Sequence, residues 1–316
     1  FHEDGSVEMY SDCLIVNSAP EGFLQYNGNQ IIIDSQVIGT ISSDKKTITM
    51  FNDDGSVGDE FTLSDEGLCN SQYANLSMIA SILSFDYILE KNNISISDIK
   101  TITLENSINV PEDVTSFDVS YAQNGKVMAY VTTNAEDSNY YDLYIQGDGA
   151  LYAPENSSLL FAYSNLTQIN NLNLLNTSYA VNMTGMFEDT YNLTSLDLSS
   201  FDTSSVTDMS WMFVNAGSNG TDFILNLGNN FDTSNVTNMQ GMFYQAGLNS
   251  TEFTLNLGNN FNTSNVTNMG SMFYNTGYNS TKFTLDCSNW NVDKVTNYKD
   301  FNYGVTSKVT PPTWVN

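Results

Sequence analysis

The chain has 316 residues and a formal charge of −27, with 36 acidic residues against nine basic ones, all of them lysines. A surface this acidic repels phosphate backbones and anionic lipid, which argues against nucleic-acid binding and against electrostatic docking to a membrane. No apolar run approaches the roughly 20 residues of a membrane span, and no signal peptide opens at Phe1, so any targeting ends are expected outside these residues.

The charge is unevenly spread. Residues 1–150 hold 24 acids and five lysines, whereas 151–316 hold 12 and four. This places a boundary near residue 150, between an acidic front and an Asn/Thr/Ser-rich region. From Phe23 to Leu63 apolar and polar residues alternate, and Asn27-Gly28 and Asp54-Gly55 interrupt them as hairpin turns. The segment 71–92 then sets Leu76, Ile79, Ala80, Leu83 and Tyr87 at helical spacing. It predicts a helix on the hairpins, so 1–95 reads as a small α+β domain. Cys13 and Cys69 fall across that domain and suit a disulfide or two free thiols equally. From Ile96 the period returns to two: ISDIKTITLE, VTSFDVS, KVMAYVTT and YYDLYIQG read as three or four strands. Residues 96–155 are thus expected to form a β-rich cap over the first repeat.

Three near-copies follow at thirty-residue intervals: FDTSSVTDMSWMF from Phe201, FDTSNVTNMQGMF from Phe231 and FNTSNVTNMGSMF from Phe261. A looser copy starts at Leu175, a weaker one is marked by Leu160, Phe161 and Asn165 to Thr167, and a degenerate closing copy starts at Trp290. Such a period is the signature of a solenoid, with five to six units over 156–316. Leu196/Leu198, Leu225/Leu227, Leu255/Leu257 and Leu285/Cys287 read as strand cores, which makes Cys287 a buried thiol. Phe201, Phe231, Phe261 and Trp290 turn inward next, and the following Asp/Asn-Thr-Ser starts a helical turn. Val236, Met239, Met242 and Phe243 then share one face of a short helix. The expected fold is therefore α+β: a small N-terminal α+β domain, a β cap, and a leucine-rich-repeat-like solenoid of short strands and helical turns.

The run LTSLDLSSFDTSSVTDMSWMF (193–213) resembles the repeat unit of BspA-like or mycoplasma-surface-lipoprotein-type bacterial surface proteins, and 126–161 resembles the lead-in to such repeats. The resemblance covers roughly 96–316. It implies an extracellular, cell-surface or wall-attached protein whose repeats serve adhesion, with a protein or glycan on another cell or host surface as partner and no catalytic residues. The chain departs from that pattern in its thirty-residue spacing, and it has Asn215, Gln245 and Asn275 near where a Cys often follows the Met-Phe pair.

Candidate sites are few. His2 is the only histidine and sits at the end of the chain, which gives no base for nucleophilic catalysis, and no Cys-x-x-Cys offers a zinc site. No enzyme activity and no cofactor are expected. Asn52 to Ser56, with Asp59 and Glu60, misses the ligand spacing of a calcium loop and reads as a turn, although weak Ca²⁺ binding suits so acidic a surface. Asn219, Asn249 and Asn279 recur at one position as glycosylation sequons, and Asn235 and Asn265 at another; hydrogen-bonded ladders of stacked Asn, Thr and Ser are the competing reading. Trp211, Tyr244, Tyr274 and Tyr278 are the candidate contact residues, since exposed aromatics are enriched at binding hot spots. The alternative function is a structural subunit of an extracellular filament or surface layer that self-assembles through residues 1–95.

Overall fold

The computed structural model describes residues 25–27, 30–33, 36–41, 47–51, 57–62, 77–78, 89, 93–120 and 125–314. The chain divides into two compact units, Phe1–Leu76 with Ala122–Asn124, and Ser77–Tyr121 with Gly125–Asn316. In the first unit β1 (Gln25–Asn27), β2 (Gln30–Ile33), β3 (Gln36–Ile41), β4 (Thr47–Phe51) and β5 (Val57–Thr62) form an antiparallel meander in chain order. Asn27 pairs with Gln30 and Phe51 with Val57, so the chain reverses between the two members of each pair, as the hairpin reading expects. Cys13, Cys69, His2 and the 52–56 turn lie outside the described residues. So does most of the 71–92 helix, but its Ser77–Met78 form a strand, β6.

In the second unit β7 (Ile99–Glu105), β8 (Ser116–Asp118), β9 (Val127–Thr133) and β10 (Tyr141–Gly147) make a mixed sheet. β11 (Leu151–Tyr152) and β12 (Gln168–Asn170) follow. The sheet order is β12-β7-β10-β9-β8, with β7 parallel to both β10 and β12. β13 (Leu175–Asn176), β11 and β6 form a second parallel sheet. β14 (Ser195–Asp197), β15 (Asp222–Asn226) and β16 (Glu252–Asn256) form a third, each strand from one repeat and in register with the next. β17 (Leu285–Asp286) pairs with β18 (Val309–Thr310) at the end.

The expected α+β class does not hold, and neither does the leucine-rich-repeat-like solenoid with helical turns. Among the described residues nearly all regular structure is β, in small separate sheets. The helical elements among the described residues are Leu89 and two 3-10 turns, Ile96–Asp98 and Leu172–Leu174. The physical reason lies in the backbone. Two left-handed residues stand four apart in each repeat: Gly185 and Asp189, Trp211 and Asn215, Gly241 and Gln245, Ser271 and Asn275, with φ between 52° and 60°. A right-handed helix cannot run through such residues.

The hydrogen bonds follow from that alternation. The N–H groups of Met209, Trp211, Phe213 and Asn215 donate to the carbonyls of Asn238, Gln240, Met242 and Tyr244 in the next repeat. Those of Met212, Val214 and Ala216 close turns onto Met209, Trp211 and Phe213. Every second amide thus bonds across repeats and the others bond within, which accounts for the segment's donors without a helix. Single parallel bridges join Asn156, Asn182, Asp208, Asn238, Asn268 and Asn297 in sequence.

Turns of about three residues keep the apolar spacing that mimicked a helical face. Val236, Met239, Met242 and Phe243 are fully buried. Phe161, Phe187, Phe213, Phe243 and Phe273 stack in one column with centroids 5.2 to 5.9 Å apart. Each such pair contributes roughly 0.5–1.5 kcal/mol beyond its burial. Cys287 is a buried free thiol, and burial pushes its pKa up to about 12.

Candidate recognition surface

The left-handed positions also decide what reaches the surface. Trp211 occupies the first of them, and its half-buried ring lies over Gly241 of the next repeat. A Cβ at Gly241 would fall 2.1 Å from Trp211 Cε3, so only glycine leaves room for the indole. Trp211 meets Tyr244 edge to face at 5.9 Å, and Tyr244, Tyr274 and Tyr303 then stack at 4.7 Å with planes within 15°. Three of the four expected contact aromatics therefore belong to one ladder. Tyr278 is not among these ring contacts and is 52% exposed. Because the rings lie against one another, the ladder offers edges and hydroxyls rather than open faces. Burial raises the Tyr274 hydroxyl pKa, and Tyr244, Tyr303 and Asp300 add to the rise.

Polar ladders run along the same stack of repeats. Thr207, Thr237, Thr267 and Thr296 are exposed, and each hydroxyl donates to the carbonyl of the equivalent residue one repeat earlier, from Val181 onward. Four of the five sequon asparagines have their side-chain amides engaged across repeats. Asn235 and Asn265 donate to the Ser204 and Ser234 carbonyls at 2.7 and 2.6 Å. Asn219 donates to Asn192 at 3.3 Å and Asn279 to Asn249 at 3.0 Å. These bonds use Nδ2, the atom a glycan would occupy.

At the early end of this flank the aromatic positions give way to acids. Tyr163 donates to Glu188, and burial, then the Asp189 charge, raises the Glu188 pKa. Tyr191 bonds Asp189, and burial together with that carboxylate pushes its pKa up to about 12. Asn215 Nδ2 donates to Asp189 Oδ1 at 2.7 Å.

Two features escaped the sequence. Tyr303 continues the ladder, but the closing repeat is one residue short: its bridge comes 29 residues after Asn268, at Asn297, rather than 30. A thirty-residue step therefore sets Gly304, not Tyr303, beside Tyr274. The tyrosine–carboxylate pairs 163/188 and 191/189 break the repeat pattern and left no periodic signal. Among the described residues no group of three or more His, Cys, Asp or Glu could hold a metal ion, and no helix is long and apolar enough to cross a membrane.

No match is found among curated proteins or among solved structures. Residues 156–228 and 218–312 match the family described as "Mycoplasma protein of unknown function, DUF285". The match begins and ends with the stacked repeats, so the mycoplasma side of the resemblance read from 193–213 holds at the level of this family, and the repeat region is similar to it.

Proposed function

We propose that the chain is a non-catalytic recognition protein, displayed outside the cell, whose repeat flank binds a protein or a glycan on another surface. The observation that carries this reading is the ladder from Trp211 through Tyr244 and Tyr274 to Tyr303, lying in register with exposed threonine and asparagine ladders. Regular repetition presents the same polar and aromatic edge groups several times, so weak contacts add within one encounter. The hydroxyls and ring edges favour a partner rich in hydrogen-bonding groups. The BspA-like resemblance of 193–213 supports the cell-surface setting.

The test is binding of the purified chain to immobilised glycans and to intact host and bacterial cells. Trp211→Ala, Tyr274→Ala and Tyr278→Ala should each lower retention while leaving the melting temperature within a few degrees. Binding that all three leave unchanged contradicts the assignment of this flank. Ordered polymers of purified chain in electron microscopy would instead favour the filament reading.

A further inference from the structure

The sheet ahead of the repeats sets an amine beside a polarised amide. Lys100 of β7 and Asn134, the residue after β9, lie on either side of β10 in the sheet order. Lys100 Nζ stands 3.5 Å from Asn134 Oδ1 and 3.4 Å from Glu136 Oε2. The same Oδ1 accepts the backbone N–H groups of Glu136 at 3.1 Å and Asp137 at 3.0 Å. Asn134 Nδ2 donates to Asp142 Oδ1 at 2.8 Å, and Thr101 Oγ1 donates to that carboxylate oxygen at 2.7 Å. Asn134 is buried, and the Lys100 side chain is only 21% exposed. Capping the β9–β10 turn requires only the two backbone donors. The amine at the carbonyl and the carboxylate at the amide nitrogen go beyond that role.

We propose that Lys100 and Asn134 join in an intramolecular isopeptide bond across β10. Nζ lies at most about 4.7 Å from Asn134 Cγ, since a C=O bond adds about 1.23 Å to the measured contact. Reaction needs about 3–3.5 Å, a closure of roughly 1 Å that the flexible lysine stem supplies. Glu136 takes one proton from the Lys100 ammonium, and Nζ attacks Cγ. The negative charge that develops on Oδ1 stays under the Glu136 and Asp137 N–H groups, an oxyanion arrangement. A second proton passes from Nζ through Asp142 to Nδ2. The Cγ–Nδ2 bond then breaks, and ammonia departs as ammonium with the proton held by Glu136. The Nζ–Cγ bond remains, and no oxidant or co-reactant is needed. Thr167 N–H donates to the Lys100 carbonyl at 2.9 Å, so the link would fasten the strand on which the first repeat is laid.

Intact mass of the denatured full chain tests this directly. The purified protein is expected to be lighter than its sequence by one ammonia, and digestion should yield one fragment joining the Lys100 and Asn134 peptides. Lys100→Met should restore the full mass. A succinimide at Asn134 also sheds ammonia, so a loss that persists in Lys100→Met overturns the proposal, as does wild-type protein of full sequence mass. Asp142→Asn is expected to stay at full mass too; cross-linking in that variant removes Asp142 from the proton path.

Discussion

The central repeats and the closing repeat start from the same motif and end their columns differently. In the central ones Met239, Met242 and Phe243 are buried, and each phenylalanine stacks on the next. In the closing repeat the left-handed positions move to Asp300 and Gly304, 29 residues after Ser271 and Asn275. Tyr298 and Phe301 thereby take the places of Met269 and Met272, and Asn302 takes that of Phe273. The Asn302 amide donates to the Val309 carbonyl, and Trp314 stacks on Tyr298 at 4.4 Å and meets Phe301 edge-on at 5.0 Å. One deleted residue and a set of larger, more polar side chains turn a unit that needs a neighbour into one that ends the array.

The contrast can be broken most severely at its buried face. Met242→Asp places a charge among fully buried side chains, with an expected loss of about 4 kcal/mol or more. Gln240→Asp, half-exposed and bonded to Asn268, should stay within about 1 kcal/mol. Denaturant melts that shift alike would show the faces to be misassigned. Phe243→Ala should cost about 3–5 kcal/mol, because it opens the middle of a column. Trp314→Ala should cost less, about 1–3 kcal/mol by its two ring contacts, and amide exchange should quicken only near 297–314. Exchange that quickens throughout would make the closing repeat as cooperative as the central ones.

Gly241→Ala comes next. It forces a left-handed alanine, costing roughly 1–2 kcal/mol, and collides with the Trp211 ring. Adding Trp211→Ala should recover the clash part alone, and a double-mutant cycle measures it. The smallest effect belongs to the tyrosine–carboxylate end. Glu188 has its folded pKa raised above the ordinary 4.5, so its stabilising contribution is full below that value and is lost as pH rises through the folded pKa. Glu188→Gln should therefore gain slightly at neutral pH and flatten that acid-side trend. Tyr191 behaves likewise in alkali: its contribution holds below pH 10 and drains as pH approaches about 12, which Tyr191→Phe should abolish in pH-dependent melts.

The sequence made the repeat register, the buried positions and the two front hairpins legible, because each depends on residue type at a fixed spacing. It misled on the local backbone. Apolar residues at Val236, Met239, Met242 and Phe243 suit a helix and a run of three-residue turns equally. The features that decide between them are the left-handed residues. Gly241 and Asn275 hint at one, since Gly and Asn favour that region, but Trp211, Gln245 and Ser271 carry no such mark. At the surface, the sequence offers Trp211, Tyr244 and Tyr274 only singly, as contact aromatics, and the structure half-buries all three. Their union in a ladder emerged only from stacking, and Tyr303 was hidden by the one-residue deletion. The Lys100–Asn134–Asp142 cluster joins residues far apart in sequence through the β7-β10-β9 order, which no local pattern encodes.

Backbone carbon-13 chemical shifts across 236–245, measured on the folded protein, test the cross-repeat bonding most directly. Left-handed shifts at Gly241 and Gln245 that interrupt the run, with slow amide exchange at Met239, Gly241, Phe243 and Gln245, are the expected result. An unbroken run of helical shifts from Val236 to Gln245 would contradict it.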